Sequence, residues 1–298
     1  MKHAGELAAL GTALCWAGGF NFFAAAGQRM GSQVLNRLRI SVAVVLFAVT
    51  LVITRGSVWP TWATPAAVGL LALSGLIGFV FGDGNGFRAL VILGPARGGL
   101  LASLAPLFTV ALAWLILHEH PGPLALLGMA LTLGGVGWVL IERDRREHAH
   151  PEGSVMTGVI AGVLGALGQA GGYVFSKLAL RTGIDALSAS FVRIVAAAVA
   201  IWLITLVRRE GRRTISALGD RRAAGFMLGG ALLGPFLGVL LSLVAIQHIE
   251  AGVASSIIAF SPVITILLAS RFHGERLTLR MLGGALVAVA GVVVLFMR

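Results

Sequence analysis

The sequence predicts an all-α integral membrane protein of ten transmembrane helices arranged as two inverted five-helix repeats. Three observations predict it: an apolar composition, ten apolar runs of bilayer-spanning length, and a constant shift that lays one half of the chain over the other. Of the 298 residues, 57% are hydrophobic and 12% charged, and the mean hydropathy is +0.93. A soluble domain is about half apolar and about a quarter charged, so most of this chain needs lipid as its solvent.

A hydrocarbon core of about 30 Å needs about 20 apolar residues per helix. The runs at 5–27, 34–53, 65–87, 96–117, 123–141, 155–177, 186–207, 223–247, 251–272 and 277–297 meet that length. They are continuous, unlike the alternating segments of about ten residues that build a membrane barrel. The first run follows a short basic start but is too long for the apolar region of a secretory leader, and it has a counterpart in the second half. It is therefore read as a span with no cleavage. Short separators lie at 55–60, near Pro95, in "HEHPGP" from His118 and in "HGERL" from His273. Residues 142–153, "ERDRREHAHPEG", read as a linker between repeats 1–141 and 154–298, and "RREGRRTISALGDRR" at 208–222 is long enough for a short interfacial helix.

The repeat is the most informative pattern. A constant shift pairs Pro106 with Pro262, Glu119 with Glu275, Gly128 with Gly284 and Gly135 with Gly291. Slightly smaller shifts set "WAGGF" at Trp16 beside "QAGGY" at Gln169, and "LRISVA" at Leu38 beside "VRIVAA" at Val192. Five spans per half is an odd number, so the second half enters the membrane in the opposite sense. Inverted repeats of this kind place a substrate site near the bilayer midplane. The 41 glycines allow close approach of helix backbones in lipid.

Charge excludes several function classes. The net charge of +11 comes mainly from arginines in the short breaks, which is how membrane proteins fix orientation, and not from a basic groove for nucleic acid. All of the 23 Lys and Arg residues except Lys2, Arg55, Lys177, Arg181, Arg193 and Arg298 fall in or beside the breaks after odd-numbered spans; the positive-inside bias then places both termini outside. A lone Cys15 supports neither an intrachain disulfide nor a thiolate metal site. The loop histidines form no matched ligand set, and no P-loop, nucleophile elbow or H-E-x-x-H helix is present. No cofactor, no metal and no enzymatic activity are expected.

"GPARGGLLASLAPLF" with "LAWLILHE", its echo "EAGVASSIIAFSPVITILLA" with "HGERL", and the "RISVA" and "RIVAA" starts of spans two and seven resemble the EamA-type branch of the drug/metabolite transporter superfamily. The resemblance covers essentially the whole chain. It implies a ten-helix carrier with a central cavity, exporting amino acids, related metabolites or drugs, with cytoplasmic termini. The sequence departs from the commonest pattern at "FGDGNGFRAL", where Asp83 stands among Gly82, Gly84 and Gly86.

Asp83 is the acidic residue lying well inside an apolar run, a placement that costs about 2.5–3.5 kcal/mol unless it faces a partner or a wet cavity. It suits proton coupling or an ammonium group of the substrate; the alternative is a structural pair with Arg88. Trp16, Asn21, Asn85, Gln169, Tyr173 and Lys177 add aromatic or polar groups on spans one, three and six, and the last three share one helix face. They form a candidate cavity lining or a set of interhelical hydrogen bonds. Arg39 and Arg193, equivalent in the repeats, read as snorkelling side chains or as gates for a substrate carboxylate. Pro106 and Pro262 each remove a helix hydrogen bond, which predicts kinked helices beside the cavity. Glu119 and Glu275 read as hinges or gates that accept N–H bonds at the start of the next helix.

The expected partners are therefore a small-molecule substrate, possible coupling protons and the lipid bilayer, with no nucleic acid. The expected protein is a monomer or weak homodimer, multi-pass in a bacterial inner membrane. A broad-specificity drug exporter is the alternative within transport, although only one tyrosine, Tyr173, is present. A membrane enzyme or lipid-handling protein needs catalytic groups converging near one interface, and here the polar groups are dispersed.

Overall fold

The computed structural model describes residues 3–144, 154–265 and 278–297. Among these the regular elements are helical. Nine helical stretches are long and apolar enough to cross a membrane, and Ala251–Thr265 is a shorter apolar helix; the ten predicted runs thus appear as nine full spans and one whose remainder, with Glu275, lies outside the described residues.

Helix α1 (Ala4–Met30) and α2 (Ser32–Arg55) are joined by Gly31 alone. Its φ of 83° is one that a side chain would strain, which is why a one-residue reversal works there. Helix α3 (Pro65–Gly75) begins with Pro65 at the first turn and a Thr64 cap, as the missing proline N–H permits. A π-helical stretch, Leu76–Gly82, leads into α4 (Asp83–Ala102). The expected separator at Pro95 is helical, a correction to the sequence reading. The order of the chain's contacts along the helix Val155–Leu180 nevertheless turns back across Pro95. Before Pro95, Gly82 packs on Gly168 and Leu93 on Gly158; after it, Leu101 packs on Gly162, and the Leu117 carbonyl accepts a hydrogen bond from Arg181.

After a turn at Ser103 and Leu104 come α5 (Ala105–Leu112) and a π stretch, Ala113–Leu117. Helix α6 (Pro123–Asp144) extends three residues into the predicted linker; the rest of that linker lies outside the described residues. The second half comprises α7 (Val155–Leu180), α8 (Ala186–Val207), a short α9 (Gly211–Ser216), α10 (Arg221–Ala231), a π stretch Leu232–Gly238, α11 (Val239–His248), α12 (Ala251–Ile258) and α13 (Leu279–Met297). The predicted interfacial helix is α9.

The repeat recurs in backbone detail. The π stretches at Leu76 and Leu232, the helices opening at Pro65 and Arg221, and the breaks at 103–104 and 259–260 are separated by the same interval as Pro106 and Pro262. Pro106 and Pro262 thus do not kink a continuous helix. Each sits just after a break, with Pro106 in the first turn of the new segment, where its absent N–H costs nothing.

Helices α6 and α13 show the packing logic. Gly128 lies against Gly291 and Leu295, Gly135 against Gly284 and Ala288, and a methyl group at Gly291 would collide with the Thr132 backbone nitrogen. Exchanging the repeat-equivalent glycines maps this contact onto itself, the signature of a local two-fold axis. A Gly291→Leu replacement is expected to separate the pair and cost about 1–3 kcal/mol by overpacking, read as a lower midpoint of thermal unfolding in detergent.

Ion pairs fasten the two rims of the bundle. At one rim Arg55 meets Asp185 at 2.7 Å, and Asp185 caps α8 through the Ser188 N–H. At the other, Arg29 meets Asp220 at 2.7 Å and Arg37 meets Glu210. Burial pushes the Asp185 carboxyl up, but the Arg55 and Ser188 bonds outweigh it and hold the group below its ordinary value. A depressed folded-state pKa contributes stability above the unfolded value and loses it as pH falls through the folded one. Asp185→Asn is therefore expected to lower the unfolding temperature at neutral pH, the difference from the parent vanishing in acid.

Candidate functional site

A cavity of about 260 Å³ lies inside the bundle, walled by α1, α2, α4, α5, α7 and α12. Both halves of the chain contribute to it. Asp83, at the start of α4, faces this space. Its Oδ2 accepts from Arg39 Nη2 and its Oδ1 from Gln169 Nε2. The predicted pair with Arg88 is not formed: Arg88 is exposed, while Arg39 is fully buried. This also corrects the snorkelling reading of Arg39. Its Nε donates to Asn36 Oδ1 at 2.8 Å, and its guanidinium lies 5.3 Å from the Phe23 ring centre and 4.9 Å from that of Phe87, close enough for cation–π attraction.

Arg193, the repeat partner of Arg39, is buried as well and stacks over Phe79 at 4.9 Å. It lies beside Gly78 and Gly172, within electrostatic reach of Asp83 and Tyr173. Position Val239 stands where the repeat of Asp83 falls. Among the described residues the second arginine therefore has no ion-paired acid; the Asp83 carboxylate, bonded to Arg39, lies only within electrostatic reach of it.

The glycines around Asp83 do more than leave room. Gly82 and Gly86 lie against the backbones of Gly168 and Gly165. That approach draws α4 onto α7 closely enough for Asp83 and Gln169 to meet. Gly84 faces open space.

The other predicted residues divide. Trp16, Tyr173, Pro106 and Pro262 line the cavity. Asn21 and Asn85 do not: each amide donates to a carbonyl of its own helix, Ala17 and Phe81, at 2.9 Å. Lys177 continues the Gln169 and Tyr173 face but sits at the rim of the bundle. Its Nζ lies 2.5 Å from Glu119 Oε1 and 2.6 Å from the Ile249 carbonyl. Glu119 Oε2 accepts the Ala251 N–H at 2.8 Å, so it caps α12 and not the helix that follows it in sequence. Arg181 completes the group, 3.4 Å from Glu119. Beside this latch opens a recess of about 680 Å³, bordered by Glu6, Lys177, Gln247, His248 and Glu250. Sequence reasoning missed Asn36, Phe87 and Arg181; only the three-residue spacing from Asn36 to Arg39 gave a usable signal.

Apolar helices of membrane-crossing length around a cavity with buried charges define a multi-pass membrane protein with the architecture of a transporter. The chain matches the EamA-like transporter family over residues 3–141 and again over 156–297, and it belongs to that family of membrane transporters. A Streptantibioticus cattleyicolor protein described as a probable terminal-alkyne amino-acid exporter is 46% identical over 48 residues, 16% of this chain and 16% of that one. A solved crystal structure superposes with a TM-score of 0.75 at 18% identity, covering 99% of this chain and 96% of the other; that likeness concerns the fold alone.

Proposed function

We propose that the protein is a secondary carrier that exports small metabolites such as amino acids across a bacterial inner membrane by alternating access, without enzymatic chemistry. Its ten transmembrane helices form two inverted five-helix repeats, residues 1–141 and 154–298 with the linker between them. The observation that carries this reading is the buried Arg39–Asp83–Gln169 group on a cavity to which both halves contribute. Intramembrane charges that pair beside a cavity mark substrate or proton pathways, and rocking of one repeat against the other exposes such a site to each side in turn.

Inversion is supported by the rims. The start of α1 and the end of α7, its counterpart in the second repeat, border one recess through Glu6 and Lys177, as opposite senses of the two repeats require. The Glu119 latch supports a bundle shut at the rim beside that recess; the coupling ion in this proposal is the proton, and the working unit a monomer or weak homodimer.

Flux of a metabolite panel into protein-containing vesicles, with and without a proton gradient, tests the proposal. Saturable, gradient-dependent flux of at least one amino-acid-like compound is expected; no flux above protein-free vesicles for any compound overturns it. Reporter fusions at both termini decide between the outside placement that the arginine asymmetry gives and the cytoplasmic placement that the family resemblance implies.

A further inference from the structure

The charge around the cavity does not balance. Around Asp83, α2 supplies Arg39, itself bonded to Asn36; α7 supplies Gln169 and Tyr173; and α8 holds Arg193 within electrostatic reach, behind the residues that line the cavity. The residues that α1, α5 and α12 add to the wall, Trp16 and Phe20 and then prolines, serines and apolar side chains, carry no charge. Among the described residues one carboxylate thus meets the Arg39 guanidinium directly and that of Arg193 at longer range. Arg39 Nη1 and Arg193 Nε, both buried, find no hydrogen-bond partner among the described residues. An unfilled donor on a buried cation is costly, and a net charge inside a bilayer more so. Asp83 keeps 11% of its side-chain surface exposed and Arg39 only 1%, so the carboxylate stands between the arginine and the open space.

We propose that the cavity takes an anionic group of the transported molecule, a carboxylate, onto Arg39, with Arg193 adding attraction from behind the wall, and that Asp83 occupies that place while the cavity is empty. Resting on the carrier reading above, this names the substrate class. The incoming carboxylate displaces Asp83 from Arg39; Asp83 then takes one proton from the aqueous side and stays neutral beside Gln169. Binding of the anion and uptake of a proton are thereby one event; both leave together, so export runs on the metabolite's own outward gradient and carries a proton with it, and the site returns to its empty state. An ammonium-binding Asp83 predicts the opposite response to mutation, because neutralising the acid then removes the ligand's partner and not its competitor.

The test uses the full-length protein in detergent, its thermal unfolding followed with leucine, N-acetylleucine and leucine methyl ester: a zwitterion, an anion and a cation on one skeleton. N-acetylleucine and leucine are expected to protect the protein and the ester to fail. Asp83→Asn removes the internal competitor, so half-maximal protection by N-acetylleucine is expected at about tenfold lower concentration, the factor that one charge-assisted hydrogen bond supplies, and without the proton uptake seen in the parent. Arg39→Gln is expected to lose protection, with Arg193→Gln weakening it. Protection by the ester that Asp83→Asn abolishes, or no protection by any of the three compounds, overturns the carboxylate assignment. Flux of a cationic or neutral metabolite in vesicles then leaves the carrier reading standing, whereas absence of all flux removes that reading itself.

Discussion

Asp83→Asn is expected to abolish the pH dependence of flux and, in the unliganded protein, to cost about 3–5 kcal/mol of stability, because removing one member of a buried pair strands the other. The stranded group is Arg39, which is fully buried and would retain only Asn36 and two aromatic rings. The double variant Asp83→Asn with Arg39→Gln removes both charges while preserving approximate shape. Its unfolding temperature is expected to return most of the way to that of the parent, while pH-dependent flux stays absent. A purely structural pair predicts recovery of both, so proteoliposome flux in the double variant separates the two roles. Measuring Asp83→Asn with Arg88→Gln as a control is informative as well: exposed Arg88 is not the partner, and no recovery of stability is expected there.

The spans and the repeat were legible because they rest on one-dimensional properties. Hydropathy over about 20 residues needs no knowledge of neighbours, and the spacing of Pro106 to Pro262 is a statement about sequence alone. The direction in which a polar side chain points is a different matter. Arg39 and Arg193 stand near helix ends, where a long side chain can reach water, yet both turn inward. For Arg39 the cause is Asp83, forty-four positions away on another helix. Asn21 and Asn85 lie on the right helices, but each satisfies its amide on the preceding turn and so contributes no group to the wall. The prolines were identified as disruptors without the neighbouring breaks that make them harmless. At Glu119 the role was legible and the recipient was not, since the capped helix follows 132 residues later and only packing brings it near.

Removing Glu119 is the second change with a large expected effect. Its carboxylate is nearly buried and holds three elements together at one rim: the Ala251 N–H at the start of α12, Lys177 near the end of α7, and Arg181 beyond it. Glu119→Ala leaves the α12 N-terminus without this acceptor, a loss of about 0.5–2 kcal/mol when a capping side chain is removed. It also leaves Lys177 with the Ile249 carbonyl but without its carboxylate, which adds to the penalty as for any broken buried pair. Glu119→Gln keeps an acceptor for Ala251 and removes only the charge, so it isolates the Lys177 contribution. The physical consequence extends beyond stability, because α7 and α12 both wall the cavity and the latch joins them at the rim. Hydrogen exchange at the Ala251 amide and through the first turn of α12 is expected to accelerate strongly in Glu119→Ala and modestly in Glu119→Gln. Thiol labelling of a cysteine placed at Ser255, which lines the cavity, in a Cys15→Ser background is expected to rise from the Glu119 side in the same order. Faster exchange at α12 with unchanged labelling at position 255 would make Glu119 a helix cap and not a gate.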